Sequence, residues 1–271
     1  MSKNAIIYPS FKSAQTLCSH YSTITDNVTL WNLLTQYVDS SFLLSCNYNN
    51  IREIYNKIIL KYYPNELCIK AKFIDNVLLK GTKHVSIFEL PVGNSRVDLC
   101  KINGTSTAYE IKTDLDNYVR LEKQLQDYLM IFEYVYVVCS ENRAKNIAAL
   151  IPSNCGIYAY HITNRGTYYF NLAKTATANS NINPKKQLHL LHKKEFFEYF
   201  NLNTLEYDKG KIIGTILQDY DSQYINEQFK KALKNRYQKQ WDFLRTNTDI
   251  ILEIDYQWFF KNPISPTIIY S

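Results

Sequence analysis

The chain has 271 residues, 46% of them hydrophobic, so it can bury a real core and is too apolar for intrinsic disorder. A net charge of +6 and a pI near 8.8 permit a polyanionic partner without requiring one. The best apolar run, "YLMIFEYVYVVC", is short and broken by Glu133, and the start "MSKNAIIYPSFKSAQ" lacks a signal-peptide core, so neither a membrane partner nor export is expected. Six scattered cysteines form no Cys-x-x-Cys pair. That pattern fits a reducing, cytoplasmic setting without a disulfide framework.

Residues 1–45 carry little periodicity, apart from a short helix expected around Leu30–Val38. In "NNIREIYNKIILKYYPN", Ile51, Ile54, Tyr55, Ile58 and Tyr62 share one helical face, and Pro64 and Asn65 end the helix. Two strand-like stretches follow, "HVSIFEL" and "RVDLCKI", separated by the turn "PVGNS", and "NGTS" leads into a third, "TAYEIK". A helix is expected from about Asp116 to Phe132, capped by Asp114 or Asp116, with Leu121, Leu125, Leu129 and Phe132 on its apolar stripe. "YVYVVC" reads as a strand buried on both faces, "ENRAKNIAALIP" as a short helix, and "GIYAY" and "TYYFNL" as two more strands.

The order is helix, three meandering strands, helix, strand, helix, strand: an α/β fold with a mixed sheet. "AKTATANSNINPKK" reads as a linker. "QLHLLHKKEFFEYF" and "SQYINEQFKKALKNRYQKQWDFL" read as helices of a C-terminal region. The expected division is an N-terminal extension (1–48), a core (49–174), a linker (175–186) and a helical C-terminal region (187–271).

The hairpin at Asn103-Gly104 can close in two registers. A two-residue turn would set Val97 opposite Glu110 and mix polar with apolar residues in every cross-strand pair. A three-residue loop sets Asp98 opposite Glu110, Leu99 opposite Tyr109 and Val97 opposite Ile111. The second gives one apolar face and is preferred, because register follows the buried pattern. It also places two carboxylates on adjacent strands, a repulsive arrangement that a hard divalent cation such as Mg²⁺ or Mn²⁺ would relieve. Glu89, on the strand before, adds a third oxygen. Lys112 points to the same side as Glu110 and can orient water or offset charge growing on a phosphate. On the following helix Arg120, Gln124 and Tyr128 form one polar stripe.

These residues resemble the PD-(D/E)XK nuclease superfamily, in the branch with a Q-x-x-x-Y element. Val97-Asp98 matches its (P)D motif, Glu110–Lys112 its (D/E)XK motif, and Gln124–Tyr128 the Q-x-x-x-Y. The string "FEL…RVDL…YEIKTDLD…RLEKQLQDY" is similar to a bacterial family of this superfamily often found near mobile elements. The resemblance implies a restriction-endonuclease-like core and Mg²⁺-dependent hydrolysis of DNA in processing, repair or defence. Asp98, Glu110 and Glu89 would hold the metal, and Lys112 would serve the water. Gln124 and Tyr128 would support the site or the substrate phosphate, and Arg120, Lys123 and Arg96 would contact nucleic acid. The superfamily's first-helix acid falls to Glu53, with Glu66 as the weaker candidate. A homodimer is compatible with this reading. The rival reading is a catalytically silent nuclease-like scaffold that binds DNA or protein. The lysine-rich "KKALKNRYQK" is either a phosphate contact or a solvated helix face.

Overall fold

The computed structural model describes residues 5–46, 50–81, 83–202, 206 and 208–271. Six strands form one mixed sheet in sequential order: β1 (Val85–Val92), β2 (Ser95–Asn103), β3 (Thr105–Lys112), β4 (Tyr134–Ser140), β5 (Gly156–Ile162) and β6 (Tyr168–Lys174). β1, β2 and β3 meander antiparallel, β3, β4 and β5 run parallel, and β6 returns antiparallel. β4 is paired in parallel on both sides, and its Val135, Val137, Val138 and Cys139 are all fully buried. This is the environment its unbroken apolar run demands.

The second of the two hairpin registers is the one adopted. Leu99 faces Tyr109, Ile102 faces Ser106 and Asn103 faces Thr105, and Gly104 turns the chain at φ +71°. A side chain there would be strained, so glycine sets the odd-length loop and, through it, the register.

Thirteen α-helices are seen among the described residues. α1 (Phe11–His20), α2 (Asn27–Tyr37) and α3 (Ser40–Ser45) precede α4 (Ile51–Tyr62) and α5 (Glu66–Phe73). Asn50 caps α4, and its periodic Ile54, Tyr55 and Ile58 are buried. Asn65, expected only to end a helix, caps the next one through Cys68 N–H. α5 passes into a π-helical turn, Ile74–Leu78. Phe73 of α5 packs edge-on against Tyr109, and Glu110 meets Tyr128 of α6 (Leu121–Leu129). Neighbours on a strand point to opposite faces, so α5 and α6 cover opposite sides of the sheet.

α6 is shorter than its pattern implied. It starts at Leu121 rather than near Asp116, and neither Asp114 nor Asp116 caps it. Asp116 instead accepts from Thr113 N and Oγ1 (2.7 and 2.8 Å), closing a tight turn after β3. α7 (Glu141–Leu150) supplies Arg143, which donates to the carbonyls of Asp114 and Asp116 and pairs with the Asp114 carboxylate. The loop 113–120 is therefore pinned, although Leu115 and Val119 on it are exposed.

The 175–186 stretch is bound along its length rather than free. Asn179 N–H donates to Glu133 O, its side-chain amide reaches Leu129 O and Phe132 O, and Asn183 N–H donates to Met130 O. The "QLHLLHKKEFFEYF" helix is two, α8 (Pro184–Leu190) and α9 (Lys193–Tyr199), interrupted at Leu191-His192. α10 (Lys209–Asp219) leads to α11 (Ser222–Thr246), which lies along β1; α12 (Tyr256–Lys261) and α13 (Pro266–Tyr270) follow. Residues from the N-terminal helices, the sheet and the C-terminal helices join one hydrophobic core. Among the described residues no helix is long and apolar enough to cross a membrane.

His84, just before β1, is buried against Trp241 of α11, ring centroids 5.1 Å apart. Burial first, then the charges of Lys101, Arg245 and Lys234, push its pKa down to about 4. The unfolded chain thus binds a proton, with a pKa of about 6.5, that the native protein refuses. Stability held in full above about pH 6.5 should fall as the pH drops through about 4. Urea unfolding at a series of pH values is expected to show this slope in the wild type and a flatter one in His84→Leu. Parallel curves for the two proteins would refute the assignment.

Candidate metal-dependent active site

The register that pairs Leu99 with Tyr109 carries Asp98 to the level of Glu110, and on the other side Phe88 pairs with Leu99 and Leu90 with Val97, which sets Glu89 at the level of Asp98. Three acids from three strands therefore stand in one row across the sheet. The row is also where regular pairing fails. The β2–β3 ladder stops at Leu99, and Asp98 Oδ2 accepts from Ile111 N–H at 2.7 Å, a backbone donor that a strand partner would normally take. Glu89 sits at φ +53°, a left-handed conformation costly for a non-glycine residue. β2 and β3 part at this level, while β1–β2 and β3–β4 pairing continues past it.

Two layers close around the opening. From α6, Tyr128 OH lies 2.7 Å from Glu110 Oε2 and 2.8 Å from Arg96 O, one phenolic proton between two acceptors. Lys112 Nζ donates to Glu110 Oε1 (2.6 Å) and to Gln124 Oε1 (3.1 Å). From α5, the ammonium of Lys70 lies 2.5 Å from Glu66 Oε1 and 3.3 Å from Asp98 Oδ1 and is bonded to Glu89, whose other oxygen pairs with Arg96 Nε at 2.6 Å. Four carboxylates face three cations.

The electrostatics follow from burial. Burial first, then the Glu110 charge, holds the Asp98 carboxyl well above the usual range, against the pull of Lys70. Burial raises Glu110 too, opposed by the charge and hydrogen bond of Lys112. Burial pulls Lys70 and Lys112 down, but the carboxylates beside each outweigh it and hold both as ammonium ions. Burial and the Glu110 charge push the Tyr128 phenol up, so it stays a donor.

Asp98, Glu110, Lys112, Gln124, Glu89, Arg96, Arg120 and Lys123 all line one cleft of about 650 Å³. Tyr128 is fully buried beneath it. Arg120 and Lys123 are exposed at the rim, and Arg96 is two-thirds exposed despite its pair with Glu89. A second hollow, lined by Leu115, Asn117 and Val119 together with Lys112, Arg120 and Gln124, continues the cleft along the pinned loop.

Of the two helix acids, Glu66 is the one the fold places beside the row. Glu66 opens α5 beside the row, whereas Glu53 lies on α4 and is absent from the cleft lining. The lysine-rich part of α11 also lies elsewhere, with Lys230 bonding Glu133 Oε1 and Gly104 O, Lys234 bonding Lys83 O and Arg236 pairing with Glu195. Lys70 was missed altogether. Its signal is weak but present, because a lysine four residues after a glutamate, inside a helix of Leu, Cys, Ile, Ala and Phe, has few places to put its charge.

Glu66, Glu89 and Asp98 each offer a carboxylate oxygen, and these lie within 4.8 Å of one another. Hard oxygen donors at that spacing suit Mg²⁺ or Mn²⁺. The carboxylates gathered at that spacing are those of Glu66, Glu89 and Asp98, while Glu110 stands across the row on Lys112.

Tyr128→Phe is expected to cost about 1–3 kcal/mol, since the Glu110 carboxylate loses a donor where no water can replace it. Thermal unfolding checks this, and an unchanged midpoint would show that the phenol holds nothing.

A solved structure of a protein of unknown function from Silicibacter pomeroyi aligns over 45% of this chain and 77% of its own, at 16% identity and a TM-score of 0.34. Protein cII of Enterobacteria phage P4 is 28% identical over 179 residues, 62% of this chain. The chain covers 66% of that relative's length, just under two thirds. The family model for bacteriophage P4 protein cII matches residues 61–255, a span that holds all six strands and every residue of the cleft. The chain therefore belongs to the bacteriophage P4 protein cII family.

Proposed function

We propose that the protein is a metal-dependent nuclease that hydrolyses phosphodiester bonds of DNA in the cytoplasm, built on a restriction-endonuclease-like core. The carrying observation is the row Glu89–Asp98–Glu110, set at a break in the sheet, with Lys112 bonded to the last of the three. A carboxylate row has no value to the sheet itself, where like charges on adjacent strands are destabilising.

Glu89, Asp98 and Glu66 would hold the cation, which supplies Lewis acidity toward phosphate and water. Arg120 and Lys123 at the rim bind the phosphate backbone, which makes affinity fall steeply with salt. Lys112, fixed by Glu110 and Gln124, remains an ammonium. It orients the attacking water and offsets charge growing on the phosphoryl oxygens rather than removing a proton. Tyr128 keeps Glu110 aligned from below. Water's oxygen bonds to phosphorus as the ester P–O bond breaks; the attacking water releases its proton to solvent water in the open cleft, and the departing oxygen takes up a proton from the same solvent.

Lys70 favours a second reading. Its ammonium already neutralises the carboxylates a metal would use, as it would in a silent scaffold that binds DNA without cutting it. Linear, circular, nicked and single-stranded DNA incubated with and without Mg²⁺ separates the two. Cleavage that requires Mg²⁺ and stops with EDTA is expected. Binding without cleavage of any of the four, in Mg²⁺ or Mn²⁺, would leave the scaffold.

A further inference from the structure

Three carboxylates whose oxygens lie within 4.8 Å of one another repel, the more so because Glu89 and Asp98 are largely shielded from solvent, so a positive charge among them is stabilising. Lys70 provides it. Its side chain is only 3% exposed, and its nitrogen meets Glu66, Glu89 and Asp98 together. A divalent cation bound through the same oxygens would sit about 2.0–2.6 Å from each. That is the volume the Lys70 nitrogen fills. The two cannot share it, on steric grounds as well as electrostatic ones.

The side chain has somewhere else to go. A hollow of about 350 Å³ adjoins it, lined by Asn65, Glu66, Glu89, Arg96 and Gln257 as well as Lys70 itself. A lysine has a flexible four-carbon stem and a compact charge. It can therefore leave the cluster by rotating about its own bonds, with α5 in place and Glu66 still beside it.

We propose that Lys70 is an internal cation that competes with the divalent metal for Glu66, Glu89 and Asp98, and that metal binding expels its ammonium into the adjoining hollow. The proposal rests on the metal-dependent reading of the site. It assigns two states to the cluster: one closed by the chain's own charge, one open to metal. It makes metal affinity a property set by a residue that is not a ligand. A protein whose site is held by Lys70 keeps its carboxylates ordered without metal and binds Mg²⁺ or Mn²⁺ more weakly than the donor set alone would allow.

The test is Mn²⁺ titration calorimetry on the full chain and on Lys70→Met, which keeps the stem and removes the charge. The variant is expected to bind Mn²⁺ at least tenfold more tightly than the wild type, and to melt lower than the wild type without Mn²⁺ but not with it. Should the variant fail to fold, the wild type alone decides. Amine acylation read by mass spectrometry should find Lys70 protected without Mn²⁺ and several-fold more reactive at saturation, with exposed Lys185 unchanged as the internal standard. Equal or weaker binding by Lys70→Met, or unaltered Lys70 reactivity in a wild type that does bind Mn²⁺, overturns the proposal and spares the metal-dependent reading. Absence of Mn²⁺ binding in both proteins overturns both.

Discussion

Glu110→Gln is expected to lower Mg²⁺-dependent DNA cleavage by about 10³-fold, the scale on which removal of one preorganised charged group is felt in catalysis. The isosteric amide keeps an acceptor for Tyr128 OH and fills the same space, but it no longer fixes the Lys112 ammonium, 2.6 Å away in the native protein. Asp98→Asn should be as damaging to cleavage, and its effect on stability is diagnostic. Asp98 is 9% exposed and stands opposite a second carboxylate, so neutralising it relieves repulsion, while Lys70 keeps Glu66 and Glu89 as partners. The variant is expected to melt above the wild type while losing activity, the trade a functional charge makes with the fold. Cleavage rates and melting midpoints measured side by side decide the matter. A variant that melts lower and cuts normally would make Asp98 a structural ion-pair anchor.

Phe73→Ala should be the most destabilising single change in the neighbourhood of the site, costing about 3–5 kcal/mol. Phe73 is fully buried and makes edge contacts with Tyr109, Tyr158 and Phe170, centroids 5.0, 5.2 and 5.4 Å away. Those rings come from three strands, so the truncation opens a void the sheet cannot collapse to fill. The same residue seats α5, which carries Glu66 and Lys70. Urea unfolding gives the free energy, and a loss below about 1 kcal/mol would mean that α5 docks by other contacts.

Much of the strand arrangement is legible in the residues because each part obeys a short-range rule. Alternation around Val97, Leu99, Tyr109 and Ile111 selects one hairpin register, and that register brings Asp98 to Glu110. The all-apolar β4 announces its central place. Gln124 and Tyr128 are one helical turn apart and do reach Lys112 and Glu110. What was hidden depends on contacts distant in sequence. Nothing local to Glu89 shows its left-handed backbone. α5 is eight residues long with apolar residues on most sides, so no amphipathic stripe marks it; Glu66 ranks behind Glu53 in the sequence, and Lys70 gives no sign of its place. Asp114 and Asp116 carry a capping signal, yet Thr113 and Arg143 engage them first. The asparagines near 179–183 look like those of a turn-rich linker, because their amides find partners fifty residues upstream.

The left-handed glutamate has one more implication. A non-glycine residue in that region costs on the order of 1–3 kcal/mol, and Glu89 takes on this burden within an otherwise regular strand. Glycine at that position would adopt the same left-handed backbone without the side-chain penalty, giving a less strained strand with an emptier cleft. The strand therefore holds a tension that its own architecture has no use for, and the strain marks the spot where robustness gives way to reactivity.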